Sequence, residues 1–143
     1  MFDIVAKKIL IRDENVGPKK ILIIEDNMYS MEVVVVFLES VGYLVLKSKT
    51  AEEGIRVARK ELPDLILMDI SLPLMNGFVA TEILKKDQRT GNIPIVAFTA
   101  HAMKDDEEKS FQAGCDGYIV KPIERESFLD EVNHFLKSEP CSR

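Results

Sequence analysis

Five short apolar runs punctuate the chain at 21–24, 43–46, 65–68, 95–98 and 118–120. None alternates in the manner of a half-exposed strand, so each predicts a strand covered on both faces. Longer mixed stretches lie between them. Residues 28–41 include Val33-Val34-Val35-Val36, which by propensity alone suggests a strand. The length of that stretch and its closure at Gly42 favour a helix, buried on much of its surface. Thr50 with Glu53 three residues on forms a capping-box pattern, and Ile55 and Ala58 extend that helix until Pro63. A loop with Pro73, Asn76 and Gly77 precedes a helix running to Lys86. A polar helix over 104–113 stops at Gly114, and a last one covers 125–136. Strand and helix thus alternate throughout, which predicts a parallel sheet with helices on both faces and right-handed crossovers.

Composition narrows the choice of class. The 143 residues suit one domain, with 46% apolar and 30% charged positions, the balance of an ordinary globular chain. Net charge is −5, and Lys7-Lys8 and Lys19-Lys20 are too short to be basic patches, which argues against nucleic-acid binding. No apolar run is long enough to span a membrane, and the N-terminus lacks the layout of a signal peptide, so the cytoplasm is the expected location. Cys115 and Cys141 are too few for a disulfide framework; Cys115 reads as a small buried hydrophobe. Residues 1–18 lie outside the alternating unit. Phe2, Val5 and Ile9 recur at helical spacing, so a short amphipathic arm and a flexible leader stand as equal readings. The unit itself is expected to span 19–138, with a tail at 139–143.

The candidate chemistry sits at the strand ends. In open parallel sheets, ligands bind beyond the carboxyl ends of the strands. Glu25 and Asp26 follow the first run, Asp69 the third, Thr99 the fourth and Lys121 the fifth. A single acid or lysine there would reflect only the chain leaving the core. Three acids, a hydroxyl and an ammonium in one register point to a site. Clustered carboxylates repel one another, which raises at least one pKa, and a hard cation relieves the repulsion. Magnesium favours such a set, with room for a phosphate oxygen. Lys121 supplies a compact positive charge for phosphoryl oxygens, and Thr99 a short hydroxyl donor.

The segments IIEDN at 23–27, LILMDISLPLMNG at 65–77, PIVAFTAHAM at 94–103 and GYIVKPI at 117–123 closely resemble the receiver domains of two-component response regulators. The wording is also similar to stand-alone cell-cycle and phosphorelay regulators. The resemblance implies a flavodoxin-like (CheY-like) doubly wound (βα)5 fold, strand order 2-1-3-4-5. It further implies that Asp69 accepts the phosphoryl group and that Asp26 and Glu25 bind Mg2+, with Ser71 lending a backbone carbonyl. Thr99 matches the switch hydroxyl, Tyr118 the aromatic switch and Lys121 the phosphoryl-binding lysine, with a cis bond before Pro122. Glu25 stands where aspartate is commoner. His101 falls beside the site as a loop residue that modulates access; His134 falls on the surface of the last helix.

The implied partners are a sensor histidine kinase or a histidine phosphotransfer protein, and a downstream protein target reached through residues 103–137. Such proteins are monomers or phosphorylation-dependent dimers. No output domain is expected to follow Lys121, so the signal passes through another protein, as an allosteric effector or as a relay shuttle. An aspartate-dependent phosphatase is a rival reading. Its general acid would fall at Ser71, a poor proton donor. A phosphorylation-independent interaction module is the other.

Overall fold

A computed structural model of the chain describes residues 17–72, 74–100 and 104–137. The strands are β1 (Lys20–Ile24), β2 (Leu44–Ser48), β3 (Leu65–Met68), β4 (Ile95–Thr99) and β5 (Gly117–Val120). The helices are α1 (Met28–Glu39), α2 (Ala51–Glu61), α3 (Gly77–Lys86), α4 (Lys104–Ala113) and α5 (Arg125–Lys137). All strands pair in parallel in the order β2-β1-β3-β4-β5. The expected doubly wound architecture is therefore the observed one.

Alternation along each strand splits the core into two layers. Ile21, Ile23, Leu65, Leu67, Val96 and Phe98 face one side. There they meet Met31, Val34 and Leu38 of α1 and Phe128 and Val132 of α5. Leu22, Ile24, Ile66, Met68, Ile95 and Ala97 face the other, against Ala51, Ile55 and Ala58 of α2 and Ala80 and Leu84 of α3. The central strands β1, β3 and β4 have helices on both faces and no solvent side, which is why their runs are uniformly apolar. The edge strands β2 and β5, also expected to be covered on both faces, instead expose Leu44 and Val120.

Local signals set the helix starts. Thr50 Oγ1 accepts the Glu53 N–H at 3.1 Å, while the Glu53 carboxylate accepts the Lys49 N–H at 3.1 Å. This is a capping box displaced by one residue. Asn27 and Asn76 cap α1 and α3 through their side-chain oxygens, each such cap contributing about 1 kcal/mol.

Two expectations need correction. α1 ends at Glu39 and β2 starts at Leu44, because Gly42 takes φ +95° and the chain turns there. Nor is α1 buried on much of its surface. Met31, Val34 and Leu38 form its buried stripe, whereas Tyr29 is 78% and Val36 62% exposed. A helix lying on one sheet face buries only that stripe, however apolar its other positions. Cys115 is buried and His134 exposed, as expected. Residues 1–16 of the leader, His101 and the tail with Cys141 lie outside the described residues.

Candidate functional site

β1 and β3 are neighbours in the sheet, but their helices leave to opposite faces. A crevice opens at such a switch point, beyond the strand ends. Glu25 and Asp26 enter it from β1 and Asp69 from β3. Backbone bonds set the height of each: Glu25 N–H to Ser48 O at 3.0 Å, and Asp69 N–H to Ile24 O at 3.0 Å. One carboxylate oxygen from each of Glu25, Asp26 and Asp69 lies within 4.8 Å of the others. Those three acids, Ser71 and Lys121 line a cleft of about 470 Å3.

Each acid has its own surroundings. Glu25 is 1% exposed. It accepts the Asn27 N–H at 3.1 Å through Oε2, and the Lys121 ammonium through Oε1. Burial holds its pKa above the usual carboxylate value; Lys121 opposes that shift and neighbouring Asp69 adds to it. The expectation of a raised pKa is met, with desolvation ahead of like-charge repulsion as the cause. Asp69 is buried, with Oδ1 accepting the Ser71 N–H at 2.9 Å. Asp26 is exposed. A small oxygen-only donor set of net negative charge, two of its acids buried and Asp26 open to solvent, fits a hard divalent cation.

Lys121 follows β5, tied by its N–H to Thr99 O at 2.8 Å, and the Lys121–Pro122 bond is cis. Its side chain is 15% exposed. Beyond Glu25, the ammonium donates to Ser30 Oγ at 3.4 Å and stands 4.8 Å from the Phe98 ring centroid.

Thr99 and Tyr118 do not line the cleft. Thr99 is buried at the end of β4. Tyr118 is half-buried against the α2/α3 core layer. Its phenol pKa is raised by burial and by Asp106 and Glu107 of α4.

Several contributors were not singled out in the sequence. Asn27 caps α1 and bonds Glu25; its position directly after the acid pair is the signal. Gly77 is dictated by close packing: a Cβ there would sit 2.5 Å from Asp69 O and 2.6 Å from Ile70 Cα. Ser30 and Phe98 reach Lys121 only through the fold. Beside the cleft, a second recess of about 480 Å3 is lined by Tyr29, Val33, Phe98 and Ile123, and shares Ser30 and Lys121 with it.

An acid triad thus stands at a sheet switch point, faced by a lysine that follows a parallel strand. Residues 21–133 match the response regulator receiver domain, and the chain belongs to that family. It is 41% identical over 119 residues to the polar-differentiation response regulator DivK of Brucella anthropi, covering 83% of this chain and 97% of that protein. DivK of Brucella ovis is 41% identical over 118 residues, covering 82% and 96%. A putative response regulator from Chloroflexus aurantiacus superposes with TM-score 0.82 at 27% identity, covering 85% of this chain and all of that one. The receiver domain of a Pseudomonas aeruginosa sensor histidine kinase has TM-score 0.80 and 32% identity, with coverage of 85% and 100%. That structure has a magnesium ion coordinated in its active-site cleft. Among the described residues, no helix is long and apolar enough to cross a membrane.

Proposed function

We propose that this protein is a response regulator of the DivK kind that accepts a phosphoryl group on Asp69 in a magnesium-dependent reaction. The carrying observation is the convergence of Glu25, Asp26 and Asp69 within 4.8 Å, beside the Lys121 ammonium. The receiver unit spans 19–138, flanked by the leader at 1–18 and the tail at 139–143, and it works in the cytoplasm.

Glu25, Asp26, Asp69 and the Ser71 backbone carbonyl would hold Mg2+, which neutralises charge on the phosphoryl oxygens. The chain's own residues do the rest. An Asp69 carboxylate oxygen bonds to phosphorus as the donor's phosphorus–nitrogen bond breaks. The donor is a phosphohistidine on a sensor kinase or a phosphotransfer protein. Ser71 N–H already holds Asp69 Oδ1, which leaves Oδ2 as the attacking oxygen. Lys121 meets the transferred oxygens as a fixed charge. Water later cleaves the acyl phosphate. The reaction alters the state of a signalling protein and is not a metabolic conversion.

The acyl phosphate brings about −1.5 to −2 of charge and three acceptor oxygens. Thr99, on the loop side of β4, hydrogen-bonds one of them. A charge-assisted bond of about 1.5–3 kcal/mol suffices to shift a two-state equilibrium tenfold or more. Movement at Thr99 passes to Tyr118 on the neighbouring strand. It then reaches α4, β5 and α5, where Phe111 and Val120 are exposed and a downstream protein would read the state.

Intact mass after incubation with magnesium and acetyl phosphate tests the assignment. Wild type gains one phosphoryl group and Asp69→Asn gains none. Modification of the variant, or of neither protein even with candidate kinases, sinks it.

A further inference from the structure

A lysine ammonium on its four-carbon stem is a mobile charge, so something must aim it. Among the described residues, three contacts hold that of Lys121: the Glu25 carboxylate, the Ser30 hydroxyl at 3.4 Å and the Phe98 ring at 4.8 Å. They differ in availability. Glu25 is one of the acids assigned to the cation, so its oxygens are shared between two positive groups. The Phe98 face attracts the charge but offers no lone pair in a set direction. Ser30 carries no charge, and its hydroxyl oxygen accepts from Nζ whatever Glu25 is doing.

The placement of Ser30 is itself built. It sits in the first turn of α1, where Asn27 Oδ1 accepts the Ser30 N–H at 2.9 Å. That cap uses only the Ser30 backbone, so the side chain is not needed to start the helix. Alanine has the better helix propensity, so stability of α1 does not account for a serine here. The hydroxyl instead spans from α1 to the residue after β5, across 91 positions of sequence. Lys121 is largely shielded, so few waters can replace the contact.

We infer that Ser30 is a positioning residue for Lys121, holding its ammonium over the Asp69 cleft when Glu25 is engaged with the cation. The inference rests on the phosphoryl-accepting role of Asp69 proposed above.

Rates of phosphorylation by acetyl phosphate with magnesium provide the test. In Ser30→Ala the saturating rate falls about three- to tenfold, the size of one modest hydrogen bond. The donor concentration at half-saturation and the melting temperature stay as in wild type. Ser30→Thr, which keeps the hydroxyl, restores the rate. In a Lys121→Met background Ser30→Ala has no further effect, since the two groups act as one unit. Independently of activity, the Lys121 ammonium signal of the protein with magnesium added, observed by nitrogen-15 NMR, broadens in Ser30→Ala. An unchanged rate in Ser30→Ala overturns the inference. So does an equal loss in the Lys121→Met background, or a loss matched by a fall in melting temperature. Failure of wild type to take up a phosphoryl group would instead overturn the role of Asp69.

Discussion

Two clusters of charge, at opposite edges of the sheet, are built on opposite plans. Around Asp87, just after α3, one carboxylate meets two guanidiniums. Arg89 Nη2 and Arg59 Nε each lie 2.9 Å from Oδ2, and Oδ1 accepts the Arg89 N–H at 2.8 Å. The Arg89 side chain and N–H, with Arg59 behind them, hold the Asp87 carboxyl well below the usual range. In the cleft the ratio is reversed: among the described residues three carboxylates share the Lys121 ammonium, and buried Glu25 is pushed upward. A saturated cluster has nothing left to offer a ligand. An unsaturated one keeps a charge deficit that a cation can fill, so the imbalance itself marks the site.

Metal should separate the clusters most sharply. Magnesium at a hundredfold excess over its dissociation constant would stabilise wild type by about 2.7 kcal/mol. Thermal melts with and without chelator should show that gain intact in Asp87→Asn and much reduced in Asp26→Ala. Equal gains in all three proteins would mean that the cation binds elsewhere.

Neutralising one acid in each cluster is the next test, in chelator. Asp69→Asn relieves a like charge beside buried Glu25 and should stabilise the metal-free protein. Asp87→Asn removes the hub of two ion pairs and should destabilise. Denaturant melts read both signs; the same sign for both variants would erase the contrast.

The smallest effect is in the acid limb of the stability curve. Asp87, depressed in the folded state, contributes stability that is present above its unfolded value of 3.8 and lost as pH falls below it. Glu25, raised from 4.5, acts in the other direction, its ionisation costing stability as pH rises through that region. Asp87→Asn should therefore flatten the fall in melting temperature below pH 3.8. Because the Arg59 and Arg89 partners of Asp87 face solvent, the difference will be modest and will shrink in salt.

The chain sequence alone determined the element order, the parallel sheet and the acids at the strand ends. These follow from local rules: uniformly apolar runs need cover on both faces, and a strand end is where a polar side chain escapes the core. It also indicated Lys121, since the residue after a buried strand must emerge on the same edge as Asp69. Three matters waited for the fold. Val36 and Tyr29 look like core residues in α1, yet solvent takes them because a helix presents one stripe to a sheet. Thr99 and Tyr118 share the register of the site but stand outside its lining. Ser30, Phe98 and Gly77 carry no local signature of their roles. Their partners lie on other elements, and only close packing of those elements decides that a hydroxyl on α1 meets a lysine after β5. Hydrophobic period is a property of neighbours along the chain; contact across 91 residues is a property of the packed whole.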